Sequence, residues 1–387
     1  MKILMFGWEF PPHNVGGLGR VCYELTKSLA KHDMNITLIL PVNIKSPEFM
    51  KIIPTNIEIK EIQSPLNPYM NQMTYQKLFK YFKMYGSNLY DEVERYTNRC
   101  KSIIKDINFD LIHAHDWMTF KAAVHAKQFS GKPLVLHVHT TEFERSCGLG
   151  QNKYAYEIEK HGFEHADLII TVSNFERENI AKNYGVDRNK IRVVHNATNP
   201  VKNKDKIKKN NKIVLYLGRI TLQKGPDYFI RAAKKVLSVH PDVTFVMAGD
   251  GELLPDMINL ACELGIGDKV LFTGFLSEND VYKIYQIADL YVMPSVSEPF
   301  GLTALESLTN ETPILISKTS GVSEVLNHYL KVDFWDIDEM ANKIISVLKY
   351  KPLGECLAEN GCKEVNNLSW DAQTKKVIDI YKELYQS

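Results

Sequence analysis

The sequence predicts an α/β protein with two parallel-sheet domains. The first observation is length: 387 residues exceed the ~100–200 residues of a typical single domain. The second is a recurrence of short, nearly continuous apolar runs that alternate with helical patterns. The third is that a strand, a glycine-bearing turn and a helix open each half of the chain. Together they predict two Rossmann-like domains that face each other across a cleft, with ligands at the carboxyl ends of both sheets.

The apolar runs form two sets, one in each half. The first set is KILMF, ITLILP, DLIHAH, PLVLHVH and DLIITVS, and the second is KIVLYLG, TFVMAG, KVLFTG and DLYVMPS. Runs of this length, rich in Val, Ile and Leu, are typical of strands that are buried on both faces of a parallel sheet. We therefore expect an N-terminal domain at 1–198 and a C-terminal domain at 213–369, with a last helix at about 370–387 that packs back on the first domain.

Residues 199–212 (NPVKNKDKIKKNNK) have almost nothing to bury, which predicts a linker. A nucleic-acid patch is the alternative interpretation of its lysines, but the segment has no aromatic neighbours. Over the whole chain 47 Lys and Arg nearly balance 46 Asp and Glu, for a net charge of +1. This balance argues against nucleic acid as a partner, so local charges must hold any bound anion.

The scattered cysteines and the apolar content bear on location. The six cysteines show no metal-ligand spacing, which predicts reduced thiols and a cytoplasmic protein. The start of the chain lacks the features of a signal peptide, and no run approaches the ~20 apolar residues of a membrane span. Residues 75–86 (YQKLFKYFKMYG) could lie on a membrane surface, but a helix packed on the first domain is favoured.

The stretch SEPFGLTALES follows an apolar strand pattern and carries two acids, Glu298 and Glu306. A helix that begins near Gly301 would direct the backbone N–H groups of Gly301, Leu302 and Thr303 at a bound phosphate. The two carboxylates would then bind hydroxyl groups on different parts of one extended ligand. A sugar-bearing diphosphate has these features, although ordinary turn and helix acids explain the pattern as well.

Arg219 and Lys224 lie in LGRITLQKG, between a strand and the next helix. Both can point over the same edge of the sheet, where they would neutralise a diphosphate with charge-assisted hydrogen bonds. In the first half, Gly16 and Gly17 permit close backbone approach at the start of a helix. Their turn is not the GxGxxG of dehydrogenases.

Histidines alternate at the ends of two strands of the first half, in HAHDW and HVHTTEFE. Alternate residues share one face of a strand, so His113, His115, His137 and His139 could bind a metal ion. Buried, hydrogen-bonded histidines are the favoured interpretation, with one or two at the strand tips lining the cleft. A DxD string at 336–338 is interpreted as a helix cap rather than a metal ligand.

In order along the chain, FPPHNVGGLG, HAHDW, HVHTTEFE, VVHNATN, LGRITLQKG, MAGDGE and SEPFGLTALES resemble the retaining glycosyltransferases of family 4, the glycogen synthase and sucrose synthase group. The resemblance spans essentially the whole chain and implies the GT-B fold. The catalytic residues that it implies are Glu298, His139, Arg219, Lys224 and Asp116. The residues that it implies for donor binding are Gly16, Gly17, Asn196, Phe275, Leu276, Phe300, Gly301, Leu302, Thr303 and Glu306.

The activity that the resemblance implies is transfer of a hexose, glucose first, from a nucleoside diphosphate sugar to a hydroxyl acceptor, with retention. Neither a cofactor nor a metal ion is expected. A glycogen-like α-glucan is the first choice of acceptor, and a lipid-linked or small sugar is the alternative. UDP and ADP both stay open as the donor nucleotide, as does the role of Glu298 as nucleophile or electrostatic stabiliser. Rivals are a GT-B epimerase, a phosphorylase, and a glycan-binding protein without catalysis.

Overall fold

The computed structural model divides into two compact units. The described residues are 1–12, 16–55, 89–200 and 211–386. The first unit comprises Met1–Phe143, Gly148–Asn196 and Trp370–Ser387, and the second comprises Glu144–Cys147 and Ala197–Ser369. The segment at 75–86 and residues 201–210 of the expected linker lie outside the described residues. Within those residues, no helix is both long enough and apolar enough to cross a membrane.

The first unit is built on a parallel sheet. Its described strands are β1 (Lys2–Phe6), β2 (Asn35–Leu40), β3 (Lys51–Pro54), β4 (Leu111–His115), β5 (Leu134–Val138), β6 (Leu168–Thr171) and β7 (Ile191–Val193). They are ordered β3-β2-β1-β4-β5-β6-β7 and all pair in parallel. β4, β5 and β6 are buried along their whole length, which explains why their sequences do not alternate between apolar and polar residues.

Helices flank this sheet, and local signals set their ends. Before residue 197 the described α-helices are α1 (Gly17–Lys31), α2 (Leu89–Ile103), α3 (Trp117–Ser130), α4 (Glu142–Arg145), α5 (Lys153–His165) and α6 (Asn174–Tyr184). The side chain of Asn152 caps α5 and that of Ser173 caps α6, each by accepting hydrogen bonds from first-turn N–H groups. α1 buries Val21, Leu25 and Leu29, the four-residue spacing of a core-facing stripe.

The second unit repeats this plan with a parallel sheet of its own. Its described strands are β8 (Ile213–Leu217), β9 (Thr244–Ala248), β10 (Val270–Gly274), β11 (Leu290–Met293), β12 (Ile314–Ser317) and β13 (Leu330–Val332). They are ordered β10-β9-β8-β11-β12-β13 and all pair in parallel. The chain therefore builds the sheet outward from β8 on one side and then crosses to β11 on the other.

The helices of the second unit follow its strands in turn. They are α7 (Pro226–Leu237), α8 (Leu254–Glu263), α9 (Glu278–Ile287), α10 (Leu302–Thr309), α11 (Ile337–Lys349) and α12 (Lys351–Asn366). Asp336 caps α11, because its Oδ1 accepts a hydrogen bond from the backbone N–H of Glu339 at 2.9 Å. The interpretation of the DxD string as a helix cap is confirmed.

The last helix, α13 (Trp370–Gln386), belongs to the first unit. It buries Val377 and Tyr381 completely, and the phenol group of Tyr381 hydrogen-bonds the imidazole of His113 on β4. Asp371 pairs with His32, just beyond α1, at 2.7 Å. The first unit thus needs residues from both ends of the chain.

Each sheet has a topological switch point, where the strand order reverses. In the first unit it lies between β1 and β4, and in the second it lies between β8 and β11. Loops that leave two adjacent strands at such a point turn to opposite faces of the sheet and leave a crevice at the carboxyl edge, where α/β proteins bind ligands.

Candidate active site

A largely buried ion pair lies at the switch point of the second unit. Lys224 ends a short 3₁₀ turn after β8, and Glu298 lies in the loop after β11. The Lys224 Nζ donates a hydrogen bond to the Glu298 Oε2 at 2.6 Å, and the two side chains are 18% and 9% exposed. The hydroxyl of Ser295 donates to the same carboxylate oxygen at 3.1 Å. Two donors therefore fix the Glu298 carboxylate on one oxygen.

Backbone hydrogen bonds join the loops that carry this pair. The N–H of Val296 donates to the carbonyl of Gln223 at 2.9 Å, which connects the loop after β11 to the loop after β8. The N–H of Glu298 donates to the carbonyl of Thr319 at 3.0 Å, and the carbonyl of Glu298 accepts from Gly321 at 2.9 Å. The ion pair is thus held by three consecutive loops of one sheet edge rather than by side-chain contact alone.

Arg219 adds a second positive charge to the loop after β8. Its Nη2 donates to the Oε1 of Gln223 at 3.3 Å, and Gln223 is buried. Burial lowers the pKa of Lys224, the nearby Arg219 lowers it further, and the Glu298 carboxylate opposes both effects. The Glu144 carboxylate also raises it. The cations are therefore countered by carboxylates, and a bound anion would be held by the hydrogen-bond donors of Lys224 and Arg219 rather than by a surplus of positive charge.

Helix α10 begins directly behind Glu298. Gly301 precedes it with φ of +110°, a conformation that favours glycine. The first N–H groups of the helix, on Leu302 and Thr303, have no partner within the helix. The Oγ1 of Thr303 accepts a hydrogen bond from the Tyr291 hydroxyl at 2.8 Å, which fixes the first turn.

The other predicted donor residues of this unit spread along the same sheet edge. Glu306 is half-buried within α10 and accepts a hydrogen bond from the Tyr285 hydroxyl at 3.4 Å. Phe300 is buried. Phe275 and Leu276 follow β10, two strands from β8, and the Phe275 side chain is 80% exposed. An exposed aromatic face beyond the ion pair is available for stacking with a base.

In the first unit, Asp116 and His139 meet at the carboxyl edge next to the switch point. The Asp116 Oδ1 accepts a hydrogen bond from the backbone N–H of His139 at 2.7 Å. Asp116 has φ of +57° and ψ of 164°, a conformation that is rare for residues other than glycine and that concentrates at functional sites. The His139 Nε2 lies 3.0 Å from the His115 Nδ1.

The four strand histidines form a buried stack. Ring centroids are 4.5 Å apart between His113 and His115 and 4.4 Å apart between His137 and His139, with interplanar angles of 17° and 20°. Burial lowers the pKa of all four, that of His115 to about 3, so the rings are neutral at pH 7.

Donor nitrogens of His113, His115 and His137 lie within 4.8 Å of one another, so a metal ion has to be considered. A metal ion binds in the plane of each imidazole ring, along a nitrogen lone pair. Rings stacked with nearly parallel planes direct these lone pairs side by side and not at a common point. The arrangement suits packing better than chelation.

Three further predicted residues follow two other strands of the first sheet, β1 and β7, after their carboxyl ends. Gly16 precedes α1, and a Cβ there would lie 3.0 Å from the Oε2 of Glu9. Gly17 is the first residue of α1, and Asn196, beyond β7, is buried. Residues 13–15 of the same glycine turn lie outside the described residues.

Sequence reasoning missed Glu9 and Ser295. Glu9 is only 2% exposed, and its carboxylate and that of Asp116 both add to the effect of burial in raising the pKa of the Cys22 thiol. An acid directly after the first apolar run, in FGWEFPP, is the signal that could have revealed it. Ser295 carries no such signal, because only the fold shows that its hydroxyl reaches Glu298.

Comparison with known proteins shows the family. Residues 15–202 match the profile described as Glycosyltransferase Family 4, and residues 198–364 match that of Glycosyl transferases group 1. The uncharacterized glycosyltransferase MJ1607 of Methanocaldococcus jannaschii is 30% identical over an alignment 404 positions long, which covers 99% of this chain and 98% of that protein. The chain belongs to glycosyltransferase family 4.

Other relatives of this glycosyltransferase carry varied names. A glycogen synthase of Mycobacterium tuberculosis is 27% identical over 340 residues, which cover 84% of this chain and 80% of that enzyme. The structure of sucrose-phosphate synthase from Thermosynechococcus elongatus aligns with a TM-score of 0.79 at 20% identity, covering 100% and 99% of the two chains. Anabaena HepE in complex with UDP-glucose aligns at 0.73 and 17% identity, covering 99% and 100%. These structural alignments show that the glycosyltransferase has the GT-B fold.

Proposed function

We propose that this glycosyltransferase moves a hexose from a nucleoside diphosphate sugar to a hydroxyl group of a glycogen-like α-glucan, and that the hexose is glucose. The proposal includes retention at the anomeric carbon and independence of a metal ion. The observation that carries it is the buried Lys224–Glu298 pair at the switch point of the second unit, 2.6 Å between Nζ and Oε2. A cation and an acid held together at a ligand-binding edge suit a substrate that has a phosphate next to a sugar.

The leaving group is the first chemical requirement. When the glycosidic bond breaks, negative charge grows on the departing diphosphate, and preorganised donors stabilise that charge most effectively. Lys224 and Arg219 supply charge from the loop after β8. The first N–H groups of α10, on Leu302 and Thr303, supply a helix N-terminus. These groups belong to one rigid sheet edge, so little reorganisation is needed during the reaction.

The sugar ring is the second requirement. Positive charge grows on the ring in an oxocarbenium-like transition state, which a nearby carboxylate stabilises. Glu298 is the proposed carboxylate, because it is buried and contacts the cation assigned to the diphosphate. Glu306 is assigned to the ribose hydroxyls, and Phe275 and Leu276 to the base.

The acceptor side is assigned to the first unit. Asp116 and His139 are the proposed catalytic groups there, since they are joined by a 2.7 Å hydrogen bond at the carboxyl edge of the sheet. Gly16 and Gly17 are assigned to a close approach between the backbone and the donor, and Asn196 is assigned to donor binding. The neutral state of His139 leaves its ring able to accept or donate a single hydrogen bond.

A metal-free mechanism is proposed because the cationic side chains and helix N-terminus perform the charge stabilisation that a metal ion supplies in other transferases. The cytoplasm is the proposed location. Its support is that all six cysteines are free thiols, as in proteins of reducing compartments.

A direct assay tests the proposal. The protein is incubated with UDP-glucose or ADP-glucose, with and without glycogen, in the presence and absence of EDTA, and released nucleotide is measured. We expect glycogen-dependent release from one donor, insensitive to EDTA, with an α-linkage in the product. Release that requires a lipid-linked acceptor would reject the glucan, and activity restored only by Mn²⁺ or Mg²⁺ would reject the metal-free mechanism.

A further inference from the structure

A groove outside the candidate active site lies on the helical surface of the second unit. Its volume is about 590 Å³, and it is formed by the outer face of α7, the end of α8 and the loop that leads into α11. Arg231, Lys234 and Lys235 line it from α7, and Trp335 and Asp338 line it from the loop and the start of α11. All of these side chains belong to the second unit, so the groove lies within one unit.

Trp335 gives the groove an exposed aromatic wall. Its side chain is 59% exposed, an unusual state for tryptophan, which is mostly buried. The Trp335 ring packs edge-on against Phe334 with centroids 4.9 Å apart, and Phe334 packs against Tyr228 at 5.2 Å. These contacts fix the orientation of the indole, so the surface it offers is preorganised.

The same aromatic contacts connect the groove to the ion-pair site. Tyr228 lies in the first turn of α7, and its ring is 3.0 Å from the position of a Cβ on Gly225, the residue that follows Lys224. Tyr228, Arg231 and Lys235 have the spacing of one helix face, which extends about 10 Å along the axis. Tyr228 therefore contacts Phe334, the neighbour of Trp335, and lies close to the residue that follows Lys224.

The charges around the groove balance in number: the cations Arg231, Lys234 and Lys235 are matched by Asp336 and Asp338 in the lining and by Asp227, the partner of Arg231. The Lys235 Nζ lies 2.5 Å from the Asp338 Oδ1, and the Arg231 Nε lies 4.0 Å from the Asp227 Oδ2. Paired side chains offer many hydrogen-bond donors and acceptors but little net field, so an anionic lipid surface or a nucleic acid gains little attraction. A neutral polyhydroxyl ligand beside an aromatic ring is the best chemical match.

We propose that this groove binds a neutral glycan chain and holds the acceptor polymer at a distance from the reacting hydroxyl. Trp335 would stack on the apolar face of a sugar ring, and the paired side chains of Lys235 and Asp338 would exchange hydrogen bonds with sugar hydroxyls. That the glycan is the acceptor rests on the proposed function. Glycan binding itself does not depend on catalysis.

The test compares Trp335→Ala with Tyr350→Ala. Tyr350 is a matched control, because it is a 55% exposed aromatic residue at the opposite end of α11. Binding of both variants to glycogen is measured by native affinity electrophoresis. We expect Trp335→Ala to weaken binding about tenfold or more, the effect of removing an aromatic anchor, and Tyr350→Ala to leave it unchanged. The KM for glycogen should rise in parallel, while kcat/KM with maltose stays constant.

Equal glycogen affinity in both variants and the wild type would reject the proposal that the groove binds glycan. So would Trp335-dependent binding to phosphatidylglycerol vesicles without glycogen binding, because it would identify a membrane surface. If glycogen binding depends on Trp335 but the protein transfers no glucose, the result would support glycan binding in the groove and reject the proposed function. The binding measurement and the transfer assay therefore fail independently.

Discussion

Lys224 is the residue on which the proposed chemistry most depends. In this structure its charge is compensated by Glu298, whose carboxylate also accepts a hydrogen bond from the Ser295 hydroxyl. A diphosphate would give the lysine a second anionic partner. The lysine would then contact both the leaving diphosphate and the Glu298 carboxylate that faces the sugar. One side chain would thereby link the group that stabilises negative charge on the diphosphate to the group that stabilises positive charge on the sugar ring.

Replacing Lys224 by Ala should lower kcat/KM by about a hundredfold, as loss of one preorganised charge-stabilising group does. Part of the effect has a second cause, because the Glu298 carboxylate keeps its burial and loses its partner cation. Steady-state kinetics with the active donor measure the change. Calorimetry of the affinity for the free nucleoside diphosphate shows whether the contact with the diphosphate is lost.

Lys212→Ala is the matched control for Lys224→Ala. Lys212 pairs with Asp289 at 3.5 Å in the same unit, and its side chain is 49% exposed. We expect near wild-type kinetics from this variant, since exposed pairs contribute little. Near-normal kinetics from Lys224→Ala as well would remove the lysine from the mechanism.

At the scale of elements, the loops at the sheet edges decide the site, and their packing is tight. Gly249, directly after β9, has φ of +130°, and a Cβ there would lie 1.9 Å from the carbonyl oxygen of Gly218. Gly218 follows β8 and donates its N–H to the Ala248 carbonyl at 3.0 Å. Backbone therefore contacts backbone at the base of the loop that carries Arg219 and Lys224.

Replacing Gly249 by Ala should lower the free energy of unfolding by about 4 kcal/mol, because a fixed backbone overlap and a glycine-only conformation combine. Thermal unfolding of the purified protein measures the loss. Gly265→Ala is the control: its φ is +66°, but nothing lies within 4 Å of the added Cβ. It should cost only about 1–2 kcal/mol. Equal losses in the two variants would mean that the overlap relaxes.

The sequence allowed the strands and their parallel arrangement to be predicted, because buried parallel strands leave continuous apolar runs. It also placed Lys224 and Glu298 each in a loop after a strand, and the start of α10 at Gly301. The contact between Lys224 and Glu298 follows from the order of β8 and β11, which is a property of the topology. Glu9 had a signal, the acid directly after the first apolar run, whereas the contact of Ser295 with Glu298 depends on the shape of the loop. The groove at Trp335 could not be predicted, since its lining residues are far apart in the chain.

At the scale of the whole molecule, the chain leaves the first unit for the second and returns to the first through α13. The return brings Tyr381 to His113, at the end of the histidine stack on β4 and β5. The sequence predicted that these histidines are buried, which is confirmed, but not that they stack on one another or that the last helix contacts them. The stack is therefore part of the core of the first unit, and its protonation must compete with folding.

The histidine stack should make the first unit sensitive to acid. Folding lowers the pKa of each ring below the ~6.5 of an unfolded histidine, that of His115 to about 3. Below pH 6.5 the unfolded chain binds protons that the folded chain excludes. The free energy of unfolding should therefore fall as the pH decreases from about 6.5 towards 3, by at most about 1.4 kcal/mol per pH unit for each ring.

Removing one ring tests this directly. Both ring nitrogens of His137 are buried without a hydrogen-bond partner among the described residues, so His137→Met should fold with little loss at pH 7, where an apolar side chain of similar size replaces it. Calorimetric unfolding between pH 7 and pH 4 should then show a shallower decline of the melting temperature than in the wild type. His240→Gln, in the second unit, should leave the decline unchanged. An identical decline in His137→Met would show that His137 does not contribute to the acid sensitivity, because a ring that is no longer present cannot exclude protons from the folded state.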